Sequence, residues 1–325
     1  MIGKNNKIYI CSPRKFATGG TESLHQLCFV LRNKFNLDAY MYYYPIKDED
    51  PIPKEYILYN NPYVTDIEDK DRNIVIAYEG FDGVLNFLNL KHAKKIIWFL
   101  SFDNYFITRN FLAKDLDYDR LLDSKSQNLV NFVMSDYLLN QANLILSNSY
   151  KVIFFMENFI GKRAYPLFSH INNSFLNIKF NKFKKEDIVV YNPAKGIEFT
   201  EKIIEQAKDL TFVPIKNMSR DEVKQLLLRA KVYIDFGNHP GRDRIPREAA
   251  ICGCAIILGK RGTARYPEDV PVPQKYIFSY DEREIPNIIK TIRNAIYNYD
   301  NIIEDFAEFR DFIVSEENRF ISQIK

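Results

Sequence analysis

Residues 235–258 read DFGNHPGRDRIPREAAICGCAIIL. The apolar run Val232-Tyr233-Ile234 gives out here into Gly, Asn, His and Pro. Arg242, Asp243, Arg244, Arg247 and Glu248 then fall within seven positions, and an apolar run returns at Ala255-Ile256-Ile257-Leu258. A strand that ends in a polar, Gly-containing loop and leads through a short helix to another strand is one unit of a parallel α/β sheet. Open α/β sheets bind ligands outside the carboxyl ends of their strands, which is where this charged cluster falls. Arginines and a glutamate at such an edge suit an anionic, hydroxyl-bearing ligand such as a nucleotide sugar.

The same alternation extends outward in both directions. Residues 188–191 form an apolar strand before Asn192-Pro193-Ala194-Lys195-Gly196 and a helix carrying Phe199, Ile203, Ile204 and Ala207. A strand at 211–214 follows, and Ser219 with Glu222 three residues later forms a capping box ahead of Val223, Leu226, Leu227 and Ala230. Near the N-terminus a strand at 7–11 runs into a glycine turn at Thr18-Gly19-Gly20-Thr21-Glu22, and Leu24, Leu27, Cys28, Leu31 and Phe35 recur at helical spacing. Further strands are expected at 38–44, 73–78, 95–100 and 142–147. Residues 45–71 read mostly as loop, 106–141 as helical or irregular, and 281–325 as helical. The fold class is therefore α/β, with two Rossmann-like domains facing each other across a cleft. They are expected over residues 1–170 and 171–300, with a C-terminal helix within 301–325 crossing back to pack on the first domain.

A chain of 325 residues is long enough for two such cores. Its 46% hydrophobic and 27% charged residues are those of a globular protein. No apolar run approaches the ~18 residues that span a bilayer, and the start lacks the features of a signal peptide. Cys11, Cys28, Cys252 and Cys254 form no CxxC pair, so buried free thiols in a reducing compartment are expected, and a cytoplasmic location with them. The net charge of +3 gives no field that would demand nucleic acid. Local basic clusters stand at 91–95 and at 179–185 (KFNKFKK). The second reads first as a solvated linker with a few anchored aromatics. Its second reading is contact with an anionic membrane surface or glycolipid acceptor, hence peripheral contact with the inner membrane.

Gly19-Gly20-Thr21-Glu22, Asn192-Pro193-Ala194-Lys195-Gly196 and the run from Pro246-Arg247-Glu248-Ala249-Ala250 to Gly253-Cys254-Ala255-Ile256-Ile257 resemble the motifs of GT-B glycosyltransferases. Within that fold they are similar to the large retaining group that builds bacterial surface polysaccharides. The resemblance implies transfer of a sugar from a nucleotide-activated donor to a glycan or lipid-linked glycan. It implies that Glu248 binds the donor ribose hydroxyls and that Lys195 neutralises the donor diphosphate. On physical grounds Lys195-Gly196 stands where a strand turns into a helix, so an ammonium and backbone N–H groups would converge on phosphate. Glu248 is read as lying near a helix start, with Pro246 as the first helical residue. Arg242 and Arg244 are further phosphate candidates, one of them pairing with Asp243. Where the group usually carries a second glutamate eight positions before Glu248, this chain has Pro240. His239, Asp243 or the backbone around Gly241 are candidates to replace it.

In the first domain Gly19 and Gly20 would let the backbone approach donor phosphate or substrate closely. Glu79, Asp82, Ser101 and Asp103 fall in loops at the same sheet edge, with Asp103 the first choice for an acceptor-side base. His25 reads as structural, and His92 and His170 carry no signal. The pairs Asp48/Asp50 and Asp117/Asp119 imitate the metal motif of the other major glycosyltransferase fold, but read as solvated surface charge. Neither a catalytic metal nor a cofactor is expected. Two rival readings use the same architecture: a catalytically silent GT-B-like glycan-binding or assembly subunit, and a nucleotide-sugar epimerase or hydrolase.

Overall fold

The computed structural model describes residues 6–47, 49–81, 83–109 and 118–325. The chain divides into two compact units, Met1–Phe168 with Ile321–Lys325, and Ser169–Phe320.

The first unit opens with β1 (Lys7–Pro13), α1 (Gly19–Asn33), β2 (Asp38–Tyr44) and the two-residue β3 (Tyr63–Val64). Then come β4 (Ile74–Tyr78), α2 (Val84–Asn89), β5 (Lys94–Phe99) and the short helices α3 (Phe102–Ile107), α4 (Tyr118–Asp123), α5 (Gln127–Ser135) and α6 (Tyr137–Gln141). β6 (Leu144–Ser147), α7 (Tyr150–Phe155) and β7 (Tyr165–Pro166) complete it. The strands pair in parallel in the order β3-β2-β1-β4-β5-β6-β7. Its first six positions are the Rossmann order, which reverses direction between β1 and β4. Ile8 to Ser12 of β1 are buried without interruption, as expected of a parallel strand covered on both faces. The single tryptophan, Trp98, is fully buried, and its indole N–H donates to Leu167 O at 3.1 Å.

The second unit runs through α8 (Asn173–Leu176), β8 (Glu186–Tyr191), α9 (Ile197–Gln206), β9 (Thr211–Pro214), α10 (Arg220–Arg229), β10 (Ala230–Asp235), α11 (Arg244–Ile251), β11 (Ala255–Gly259) and β12 (Ile277–Phe278). Its parallel order is β12-β11-β10-β8-β9, reversing between β8 and β10. α12 (Ile285–Tyr297), α13 (Tyr299–Ile302), α14 (Ala307–Val314) and α15 (Glu316–Ile324) follow. On α12, Ile285, Ile288, Ile289, Ile292, Ala295 and Ile296 are buried, a helical stripe that packs on β8 and β10. The capping box expected at Ser219 and Glu222 is present at the start of α10.

In the basic run 179–185, Lys179, Asn181 and Lys184 are exposed and Phe180 is anchored, while Lys185 is not a solvated charge. Lys185 Nζ donates to the carbonyls of Leu227, Ala230 and Cys252 at 3.0, 2.7 and 2.7 Å, so it satisfies carbonyls near the ends of α10 and α11. The ring of Phe180 lies so close to Gly253 that a Cβ there would meet it at 2.4 Å. All four cysteines are buried and free. No helix among the described residues is long and apolar enough to cross a membrane.

Candidate functional site

In the second unit the strand order reverses between β8 and β10, and the crevice outside their carboxyl ends is the position where such sheets take ligands. Two loops meet there. Gly196, which precedes α9, has φ +63°, and a Cβ on it would strike Gly237 N at 2.5 Å. Gly262, after β11, has φ +58°, and a Cβ on it would come within 2.0 Å of His239 O. Only glycine fits either place. The close approach locks the loop after β8 onto the loop after β10. Gly196 caps α9 with no side-chain hydrogen bond, which leaves the N-terminus of that helix open to an anion.

Lys195 stands at the centre. Its ammonium pairs with Asp243 Oδ2, lies 3.7 Å from Asp235 Oδ2 and 3.4 Å from His239 Nδ1, and donates to Asn238 O at 3.1 Å. Burial would lower the proton affinity of Lys195, but Asp243 and Asp235 together outweigh it and raise the pKa. The same pairing works on Asp243: burial pushes its pKa up, while Lys195 and His239 pull it well below the ordinary carboxylate range. His239 Nδ1 is 2.9 Å from Asp243 Oδ2. Asp235 is braced by Gly237 N–H at 2.9 Å and Tyr233 O–H at 3.0 Å. Asp235, His239 and Asp243 offer ligand atoms within 4.8 Å of one another, a spacing a metal ion could use. In this structure the Lys195 ammonium is the cation among them. Asp243 is therefore met by Lys195 and His239, while Arg242, one of the two arginines expected to pair with it, does not do so.

Glu248 is buried in α11, with Arg220 of α10 at 3.3 Å. The helix begins at Arg244, so Pro246 is its third residue and Glu248 lies more than one turn inside, not at the first position. Asp243 is the N-cap, five residues before Glu248 and roughly 7.5 Å of helical rise away. Lys195 thus meets α11 at its N-cap, while Glu248 stands in the second turn of the same helix. Arg244 is half-buried in the first turn of α11. Arg242 departs from expectation. Its guanidinium is turned inward, 2.5 Å from Glu316 Oε1, with its side chain 1% exposed, so it does not present its charge to a ligand.

In the first unit, Gly19 and Gly20 are the opening residues of α1 and not a turn; Thr18 is the N-cap and shares a capping box with Thr21. A Cβ on Gly20 would meet nothing nearer than Leu100 Cδ1, at 3.6 Å. Asp103 is 2% exposed and lies 3.2 Å from Lys151, which is fully buried and equally close to Asp119. Asp119 is therefore no solvated surface charge. Asp48, Asp82 and Asp117 lie outside the described residues. Glu79, at the end of β4, accepts from Leu100 N–H at 2.7 Å and Ser101 N–H at 3.1 Å. Burial raises its pKa to about 7 against the lowering effect of those bonds. Asp235, Arg220 and Glu316 carried no recognised motif; only Asp235, the polar end of an apolar strand, left a local trace.

No family model matches the chain, and no curated protein sequence matches it. Solved structures do. HepE from Anabaena, in complex with UDP, superposes with a TM-score of 0.60 at 10% identity, over 98% of this chain and 98% of its own. WaaB, a lipopolysaccharide outer core galactosyltransferase in its apo form, gives 0.57 at 12% identity, over 98% of this chain and 100% of its own. TarM from S. aureus, in complex with fondaparinux, alpha-GlcNAc-glycerol and UDP, gives 0.51 at 14% identity over 78% of this chain, which spans 56% of TarM's length. The chain has the GT-B fold, built from two Rossmann-like units.

Proposed function

We propose that this chain is a glycosyltransferase that takes a sugar from a nucleotide-activated donor and delivers it to a glycan or glycolipid of the bacterial cell surface. The observation that supports the reading is the crevice between β8 and β10, where glycine-dependent loop contacts hold Lys195 beside the N-terminus of α9. A nucleoside diphosphate leaves with growing negative charge, and fixed positive groups in a shielded site stabilise it. On donor arrival Lys195 exchanges Asp243 for phosphate, and the Asp243–His239 pair takes up the freed hydrogen bonding. Glu248 accepts both vicinal ribose hydroxyls, while Arg244 adds charge at the first turn of α11. HepE and TarM, both solved with UDP, support the donor class. WaaB, a lipopolysaccharide outer core galactosyltransferase, supports the pathway.

On the acceptor side Glu79 replaces Asp103. Asp103 is committed to Lys151, whereas a carboxyl with a pKa of about 7 is matched to proton transfer near neutrality. Glu79 also stands at the switch between β1 and β4, the crevice that the start of α1 shares.

Calorimetric titration with UDP, GDP, dTDP and CMP tests the donor site. Lys195→Ala and Glu248→Ala should each weaken binding of the preferred nucleotide by about tenfold or more, the cost of losing a charge-assisted hydrogen bond, with the thermal transition retained. Unchanged affinity in both folded variants would remove the site. Nucleotide binding without transfer to any acceptor would favour the assembly-subunit reading, and turnover of the donor without acceptor the epimerase or hydrolase.

A further inference from the structure

We propose that Glu316, in the last helix of the chain, is the positioning residue of the donor loop. Through Arg242 and Arg247 it fixes the backbone of residues 242 and 243, and with it the placing of Asp243 beside Lys195. The functional consequence rests on the donor site proposed above; the loop geometry does not.

Three side chains carry the clamp, and all are withdrawn from solvent: Arg242, Arg247 and Glu316 are 1%, 3% and 1% exposed. Each carboxylate oxygen takes one guanidinium, Oε1 from Arg242 at 2.5 Å and Oε2 from Arg247 at 2.7 Å. The two arginines also donate to one carbonyl, Ser169 O, both at 3.2 Å. Arg247 then reaches back along the chain, donating to Arg242 O at 2.7 Å and to Asp243 O at 3.1 Å. The carbonyls of two consecutive residues are therefore held by a single guanidinium, immediately before α11.

Two guanidiniums this close, away from water, stay together only while an anion stands between them. Glu316 is that anion. Removing its charge while keeping its shape leaves the arginines repelling each other, and the residue free to move is Arg242, on the loop. Asp243 follows it, because the next peptide is the one Arg247 pins. Asp243 Oδ2 is the atom that meets Lys195 and His239, so the displacement is delivered to the phosphate-facing ammonium without any contact between Glu316 and the donor.

The test uses the full chain and three substitutions. Glu316→Gln should speed amide deuterium exchange across residues 237–243 and weaken UDP binding by about tenfold; Glu316→Asp should recover part of both. Tyr276→Phe, which deletes a hydrogen bond to Asp305 elsewhere in the unit, should lower the thermal midpoint with neither effect. That contrast separates positioning from loss of stability. Should Glu316→Gln not fold, Arg247→Lys keeps the charge but cannot hold both carbonyls, and should loosen the same amides. Unchanged exchange over 237–243 in a folded variant overturns the proposal, as does loosening spread evenly over the unit. If Lys195→Ala leaves UDP affinity intact while Glu316→Gln still loosens the loop, the donor assignment fails and the clamp stands.

Discussion

At the end of β10 two carboxylates, one imidazole and one ammonium gather, with the Lys195 ammonium beside both Asp235 and Asp243. Lys195 and Asp243 are the members that reach water, at 24% and 25% side-chain exposure. In the proposed donor site the exchange of partner would fall to these two, while Asp235 stays buried. Glu79 in the other unit presents a different situation, a buried carboxylate held by two backbone N–H groups and with a pKa of about 7. The sign follows directly. The unfolded chain releases this proton near pH 4.5, the folded chain near 7, so the folded state holds the extra proton in that window. Stability contributed by the neutral acid is complete below about pH 4.5 and is lost as pH rises through 7. The loss amounts to roughly 3 kcal/mol at most. Glu79→Gln should flatten the fall in thermal midpoint between pH 5 and 8 and lower transfer activity by about a hundredfold. An unaltered slope would mean that Glu79 is ionised throughout.

Helix α1 shows why a motif can be read correctly as a place and wrongly as a conformation. Thr18-Gly19-Gly20-Thr21 was expected to be a turn; it is the first turn of a helix, because Thr18 and Thr21 satisfy each other's backbone N–H groups. Gly20 then has no steric reason to be glycine, since a methyl group there meets nothing nearer than 3.6 Å. Gly20→Ala should accordingly stabilise the helix by roughly 0.5 kcal/mol, measured by chemical denaturation, and reduce transfer only if a ligand approaches that backbone. A loss of stability would show that the start of α1 is held in a form only glycine adopts. The apolar strands were legible to within two or three residues, since continuous runs such as 255–258 can only be interior strands. β3, β7 and β12 were not, because two residues have no period. In the site, the loop glycines, Lys195 and Glu248 were visible as local pattern. The Glu316 clamp was not, because 74 residues separate it from Arg242 and each of its members alone reads as a surface charge. The inward turn of Arg242 was hidden for the same reason: a guanidinium goes wherever its carboxylate is.

Among the described residues, one hydrophobic cluster centres on Tyr9, Val75, Ile97 and Phe102 of the first unit, and another on Val189, Ile234, Ile257 and Ile292 of the second. Each is closed by its own parallel sheet, so each unit has the means to unfold on its own. The single tryptophan makes this testable without labels. Trp98 lies in β5, fully buried, so its fluorescence reports the first unit alone, whereas far-ultraviolet circular dichroism sums both. In urea the two signals should give midpoints that do not coincide. Saturating nucleotide, held by Lys195 and Glu248 of the second unit, should move the dichroism curve to higher urea by mass action on that unit and leave the Trp98 transition where it was. Coincident curves that shift together with nucleotide would show instead that the two cores melt as one, and that the ligand's binding energy is shared between them.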